Sequence, residues 1–288
     1  MKWLCLLGML LSPLAAAPNR VALVTGASRG VGLATAEYFA ERGYSVYGTI
    51  RPGGQGPVSI SSHLHFLPVD LLSEASIQSA VEAILSKEGR IDLLINNAGY
   101  ALVGPVELLT KEEMLDQMEI NFFGPIRLIQ AVLPAMRGQK AGHIINISST
   151  NAVATPAFGS LYAASKSALE SLSESLALEV APFDIAVSIV EPGLLTTNFS
   201  ILTGSKDLPG NPYQAVTDAI EQSLEERPAL AALSQPPEDV ARILFEIAQE
   251  GCPKLRYQTS EEAAQEIAHH LLNRVRAAVH IPLHREEP

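Results

Sequence analysis

Short runs of aliphatic and β-branched residues alternate with longer stretches of helical apolar spacing along most of this chain. The short runs are Arg20–Val24, Ser45–Thr49, Leu64–Pro68, Leu93–Asn96, Gly142–Ser148 and Ala186–Glu191. They are mainly apolar rather than strictly alternating, as strands covered on both faces tend to be. Between them, Val31–Arg42, Ser73–Glu88, Lys111–Arg137 and Tyr162–Val180 carry apolar residues at three- and four-residue spacing and predict helices. The order is strand, helix, strand, short loop, strand, then helix and strand in turn. Right-handed crossovers wind such a chain into a single doubly wound parallel α/β sheet of Rossmann type. Its ligands lie at the carboxyl ends of the strands.

After Glu191 the texture changes. Leu194–Pro237 is rich in Pro, Gly, Ser and Thr around one helical piece, Pro212–Glu226. It reads as a mobile substrate flap, with a plain surface excursion as the alternative. Pro237–Gly251 predicts a closing helix, and Glu261–His280 an appended one within a helical extension over 258–288. Residues 18–288 are expected to form one Rossmann-type domain.

Composition narrows the function. The 288 residues are 47% hydrophobic and 18% charged, too apolar for a disordered chain. Lys plus Arg number 20 against 31 Asp plus Glu, a formal charge of −11 with no basic stripe, which argues against nucleic-acid binding. Cys5 and Cys252 cannot make a disulfide scaffold, and no Cys/His group has zinc spacing, so no metal is expected. His63 and His65 alternate within a strand, which explains their spacing without a metal.

Met1–Ala17 has a charged Lys2, an apolar run Trp3–Leu11 and small residues Ala15–Ala17. Three readings stand side by side: a signal peptide, an uncleaved hydrophobic anchor giving membrane contact, and a start codon placed upstream of the true one. Pro18 directly after Ala17 speaks against cleavage there, and the apolar run is shorter than the roughly 20 residues a membrane span needs. Localisation stays open between cytoplasmic or membrane-associated and exported.

Val21–Thr25 runs directly into Gly26-Ala27-Ser28-Arg29-Gly30-Val31-Gly32 and then into an amphipathic helix. Strand, glycine turn and helix start in that order suit a dinucleotide pyrophosphate. Gly26 allows the turn, Gly30 the close approach of backbone to phosphate, and Gly32 the packing of helix on strand. The helix N-terminus adds unpaired N–H groups and partial positive charge.

The T-G-x-x-x-G-x-G form of this turn resembles the short-chain dehydrogenase/reductase family. Further motifs follow in family order: Asn96-Asn97-Ala98-Gly99, Asn121, Ser148-Ser149, Tyr162-x-x-x-Lys166 and Pro192-Gly193. Within that family, Asn121–Ile126 and Leu255–Gln258 are most similar to the branch containing estradiol 17β-dehydrogenase, the retinol dehydrogenases and their bacterial relatives. The resemblance implies an oxidoreductase moving a hydride between nicotinamide and a carbonyl or alcohol.

The end of the second strand bears on the cofactor. A carboxylate there would hold the ribose 2′-hydroxyl of NAD, yet no Asp or Glu lies between Ser45 and Gly56. Arg51 stands at that place and Arg29 inside the glycine turn, two guanidiniums suited to a 2′-phosphate. NADP(H) is therefore read in preference to NAD(H). The resemblance gives Asp70, with Leu71 beside it, the adenine, and Asn97, Ala98 and Gly99 the adenine ribose. It places Pro192, Gly193 and Thr197 at the nicotinamide, with Thr196 a near competitor of Thr197.

Tyr162 and Lys166 are four apart and share one helix face. An ammonium beside a phenol stabilises the phenolate and lowers its pKa, which suits proton transfer at neutral pH. The resemblance makes Tyr162 the general acid and base, Lys166 the holder of the nicotinamide ribose, and Ser149 the donor to the substrate oxygen. It also implies that Asn121 sits in a helix distortion holding a water that links Lys166 to solvent. Ser149 precedes Tyr162 by 162 − 149 = 13 residues, the family interval.

Two other classes use the same fold: a catalytically silent dinucleotide sensor, and an epimerase or dehydratase with a bound nucleotide. Leu194, Leu195, Phe199, Ile201, Leu202, Tyr213, Val216 and Ile220 make the flap apolar and point to a hydrophobic small-molecule substrate such as a steroid, retinoid or acyl chain, with plain packing of the same residues as the alternative. The resemblance also implies pairing into a homodimer or homotetramer through Lys111–Arg137 and Tyr162–Val180.

Overall fold

A computed structural model describes residues 19–279 except 55, 58–60, 197–198, 207 and 226–233. The leader or anchor read over 1–17, and Thr197, lie outside the described residues.

The chain runs β1 (Val21–Val24), α1 (Gly30–Ala40), β2 (Ser45–Ile50), β3 (Leu64–Pro68), α2 (Glu74–Glu88), β4 (Leu93–Asn96) and β5 (Ala101–Val103). It continues through α3 (Lys111–Met118), α4 (Gly124–Gln139), β6 (Gly142–Ile147), α5 (Ser160–Val180), β7 (Ile185–Glu191) and β8 (Ile201–Thr203). The remaining elements are α6 (Gln214–Glu225), α7 (Pro237–Gln249), β9 (Arg256–Gln258) and α8 (Glu261–Val279).

Seven strands form a parallel sheet in the order β3-β2-β1-β4-β6-β7-β9. The doubly wound parallel sheet is thus the architecture found. Strand order reverses between β1 and β4, and at such a switch point the two loops diverge and open a crevice. The period of two in a strand sends alternate residues to opposite faces. Val21 and Leu23 of β1 pack with Ile77 and Ile84 of α2, Leu128 of α4 and Leu176 of α5. Ala22 and Val24 pack on the other face with Phe39 of α1 and Leu244 of α7. Both faces are buried, so the strands read as unbroken apolar runs.

Three features differ from the reading of the pattern. The predicted helix Lys111–Arg137 is broken by a π-helical turn, Glu119–Phe123, where the Gly124 N–H reaches the Glu119 carbonyl. Pro125 follows directly, lacks an N–H for the Asn121 carbonyl, and so cannot continue the α ladder. β9 adds a seventh strand, and β5 pairs in parallel with β8 outside the main sheet. Each of these strands is three residues long, too short for a periodic signal. Among the described residues no helix is long and apolar enough to cross a membrane.

Candidate active site

The turn after β1 has the backbone a phosphate cradle needs. Gly26 and Gly30 have φ of 67° and 57°, and no side chain caps the start of α1. A methyl group on Gly32 would overlap the Gly26 carbonyl oxygen, so glycine there keeps α1 against the turn.

Thr25 and Asn97 bind this turn to the loop after β4. Thr25 Oγ1 accepts the backbone N–H groups of Asn97 and Ala98, both at 2.9 Å, and Asn97 Nδ2 donates to the Thr25 carbonyl at 2.8 Å. Together these elements shape a cleft of about 1370 Å³, more than a single drug-sized ligand occupies. Ser28, Arg29, Gly30 and Val31 line one end with Arg51, Asp70 and Leu71, and Asn97, Ala98 and Gly99 form its floor. Thr25 and Gly32, read from the sequence as cofactor contacts, are buried and do not line the cleft; they brace its wall. Ser73 caps α2 by accepting the Ser76 N–H, while Asp70 Oδ1 accepts the Leu72 N–H at 3.0 Å and faces the cleft.

Ser149, Tyr162 and Lys166 line the same cleft as the glycine turn, together with Pro192 and Gly193. Ser149 follows β6 in extended conformation and accepts the Asn151 N–H at 3.2 Å. Tyr162 and Lys166 occupy the first two turns of α5. Lys166 is buried and donates from Nζ to the Ile147 carbonyl at 2.8 Å. Burial lowers its pKa to about 8, with the Glu170 charge opposing. Burial pushes the Tyr162 phenol upward, and its hydrogen bond with Ser149 pulls it back. The phenol pKa thus lies above its ordinary value, opposite to the lowering expected from Lys166. The lysine directs its ammonium to Ile147, with Nζ 5.9 Å from the Tyr162 ring centroid.

Asn121 sits in the π turn and does not line the cleft. Its amide donates to the Tyr100 carbonyl at 2.9 Å and Ser165 Oγ at 3.0 Å, and its oxygen accepts the Tyr100 N–H at 3.2 Å. Gly99 lies between it and Lys166: an added Cβ would stand 3.0 Å from Asn121 Oδ1 and 3.7 Å from Lys166 Nζ.

Leu194, Leu195, Phe199, Ile201 and Leu202 also line the cleft, with the Phe199 ring edge-to-face on Tyr162 at 6.0 Å. Tyr213, Val216 and Ile220 do not line it; the Tyr213 hydroxyl donates to Glu107 instead. Arg29 Nη2 donates to Ser200 Oγ at 2.6 Å, bridging the glycine turn to the segment before β8. Thr196 Oγ1 is 2.6 Å from Ser234 Oγ. The pattern gave no sign of Gln117, whose amide holds the Leu102 N–H at 2.6 Å and the Tyr100 carbonyl at 2.9 Å. Its partners are backbone groups brought near only by folding.

Residues 20–207 match the family model described as short chain dehydrogenase. The chain belongs to the short chain dehydrogenase family. It is therefore an oxidoreductase of that family. The chain is 44% identical over 191 residues to the 3-ketodihydrosphingosine reductase of Bacteroides thetaiotaomicron, covering 66% of this chain and 70% of that protein. It is 34% identical to human retinol dehydrogenase 8, covering 86% and 83%. It is 30% identical to human 17-beta-hydroxysteroid dehydrogenase type 1, covering 84% and 77%. Among solved structures, a short-chain dehydrogenase from Streptomyces avermitilis superimposes with TM-score 0.77 at 33% identity, covering 91% and 94%. A metagenomic short-chain oxidoreductase in complex with NADP superimposes with TM-score 0.63 at 27% identity, covering 83% and 96%. The short chain dehydrogenase match ends at residue 207, so β9 and α8 lie beyond it.

Proposed function

We propose that this short chain dehydrogenase is an NADP(H)-dependent reductase or dehydrogenase acting on a carbonyl or alcohol of a hydrophobic molecule. The observation that carries the reading is the convergence of Ser149, Tyr162 and Lys166 on a cleft whose other end is the glycine turn.

The donor set fits a dinucleotide. The uncapped start of α1 would take the pyrophosphate, and Asp70 with Asn97–Gly99 would hold the adenosine. Arg51, with Arg29 nearby in the cleft lining and no carboxylate at the end of β2, suits a 2′-phosphate. Pro192, Gly193 and Thr197 are assigned the nicotinamide end. A nicotinamide dinucleotide held there supplies the two-electron donor and acceptor that side chains lack. Tyr162 Oη gives a proton to the substrate oxygen in reduction and takes it in oxidation, while Ser149 Oγ donates a hydrogen bond as charge develops there. Lys166 would hold the ribose, and the Asn121 turn would hold a water for its proton exchange.

The apolar wall of Leu194, Leu195, Phe199, Ile201 and Leu202 supports a hydrocarbon-rich substrate. Three relatives carry a retinol, a hydroxysteroid and a 3-ketodihydrosphingosine in their names, which supports the same class.

The test pairs cofactor and catalysis. NADPH fluorescence titration of the full chain should show binding at least about tenfold tighter than NADH. A panel of retinal, steroid ketones and long-chain 3-keto compounds is then screened with NADPH. Tyr162→Phe should lower turnover about a hundredfold or more with NADPH binding nearly unchanged. Near-normal turnover in that variant would remove Tyr162 from the chemistry, and equal binding of both cofactors would retire the arginine argument.

A further inference from the structure

A buried charge network lies behind the site. Glu170 is one helical turn beyond Lys166 on α5 and is 5% exposed. Its Oε1 accepts the Ser148 hydroxyl at 2.5 Å, and its Oε2 accepts Arg256 Nη1 at 2.6 Å. The same Nη1 donates to Glu191 Oε1 at 2.7 Å, and Nη2 to Glu174 Oε1 at 2.6 Å. Gln258 of β9 donates to the other oxygen of Glu191. Arg256 and Gln258 both lie beyond the segment that matches the family model.

The geometry ties this network to the reacting groups in two ways. Lys166 bonds to the Ile147 carbonyl, and Glu170 bonds to Ser148, the next residue, which precedes Ser149. Lys166 and Glu170 are thus two rungs joining α5 to the end of β6. The groups facing Lys166 are the Ile147 carbonyl from β6, Asn121 from the π turn across Gly99, and Tyr162 and Glu170 from its own helix. Of these, Glu170 is the carboxylate. Glu170 is in turn faced by Arg256 from β9 and Glu191 from β7, with Glu174 on the outer nitrogen of that arginine.

We propose that Glu170, paired with Arg256, is a positioning residue that supplies the counter-charge of Lys166 and anchors Ser148–Ser149 to α5. The inference rests on the role given to Lys166 above. A carboxylate this deep keeps its charge only when a cation and hydrogen bonds replace its water, and Arg256 and Ser148 provide both. A buried ammonium likewise loses its proton readily unless a negative charge stands close. Glu191 competes for the same guanidinium, and burial raises its pKa.

The test is a titration of Lys166 itself. The full chain has seven lysines, so labelling with [ε-13C]lysine gives few signals, and that of Lys166 is identified by its loss in Lys166→Met. In the unaltered chain it should titrate below the other lysines, near the value of about 8 set by its burial. In Glu170→Gln it should titrate about one pH unit lower or more, a tenfold loss of proton affinity. Glu191→Gln should leave it within about 0.3 unit, because that charge bears on Arg256 rather than on Lys166. Glu170→Asp keeps the charge but withdraws it by one methylene, and should give an intermediate value. An unchanged Lys166 titration in Glu170→Gln overturns the proposal. Should that variant not fold, an unchanged value in Glu170→Asp does so. The titration needs neither cofactor nor substrate, so it can fail while the reductase reading stands, and the reverse.

Discussion

Thr25→Val separates building the cleft wall from lining it. Thr25 is buried, and its Oγ1 accepts two backbone N–H groups, from Asn97 and Ala98, each at 2.9 Å. Valine has nearly the same shape, so packing is kept while both donors lose their acceptor. A buried donor left without a partner costs about 1–3 kcal/mol. Both bonds are part-buried, which places each near the lower half of that range, for a total of about 3 kcal/mol. For a domain of this size that lowers Tm by about 6–12 °C. The Asn97 amide bond to the Thr25 carbonyl survives the substitution, so the loop should loosen rather than detach. Equilibrium urea denaturation, with an unchanged m-value, measures the loss, and NADPH titration should show a weaker Kd as the floor moves. Ser28→Ala, on an exposed residue of the same turn, should stay within about 0.5 kcal/mol. A Thr25→Val melting point within about 1 °C of the parent would refute the claim that this hydroxyl holds the wall.

Other outcomes follow from the same structure. Arg51→Ala should weaken NADPH about tenfold and leave NADH within about twofold, the loss of one charge-assisted hydrogen bond; an equal effect on both would detach Arg51 from the 2′-phosphate. Gly32→Ala should cost about 1–3 kcal/mol and weaken NADPH together, because the new methyl displaces the Gly26 carbonyl; unchanged melting and binding would show that the turn has room. His143, with Nε2 2.9 Å from Ser188 Oγ, has its pKa lowered by burial to about 4. The unfolded chain therefore binds this proton first, so the stability from the neutral ring is present above about pH 6.5 and is lost as pH falls toward 4. Denaturation at pH 7.5 and 4.5 should differ by about 2 kcal/mol more in the parent than in His143→Gln, and equal differences would count against a buried neutral ring.

The main architecture and the residues of the candidate site were legible because their signals are local. An apolar strand, a glycine turn, an i,i+4 pair and a 13-residue interval are statements about neighbours along the chain, and backbone geometry converts them directly into structure. Absence of a carboxylate after β2 is equally local. Tertiary structure decided what depends on residues far apart. The π turn at Glu119–Phe123 was hidden inside a continuous helical pattern, and β5, β8 and β9 become strands only because a partner edge lies beside them. That the Thr25 hydroxyl braces the loop after β4 depends on Asn97, 72 positions away. The direction of the Tyr162 pKa followed from burial and from where Lys166 points, neither of which the spacing fixes. Glu170 and Arg256 lie 86 positions apart as ordinary charges in the sequence, and become a part-buried pair only when β9 joins the sheet against β7. Sequence determines which groups are available and which face of an element they share; desolvation and charge pairing, which set what those groups do, exist only once distant segments exclude water from between them.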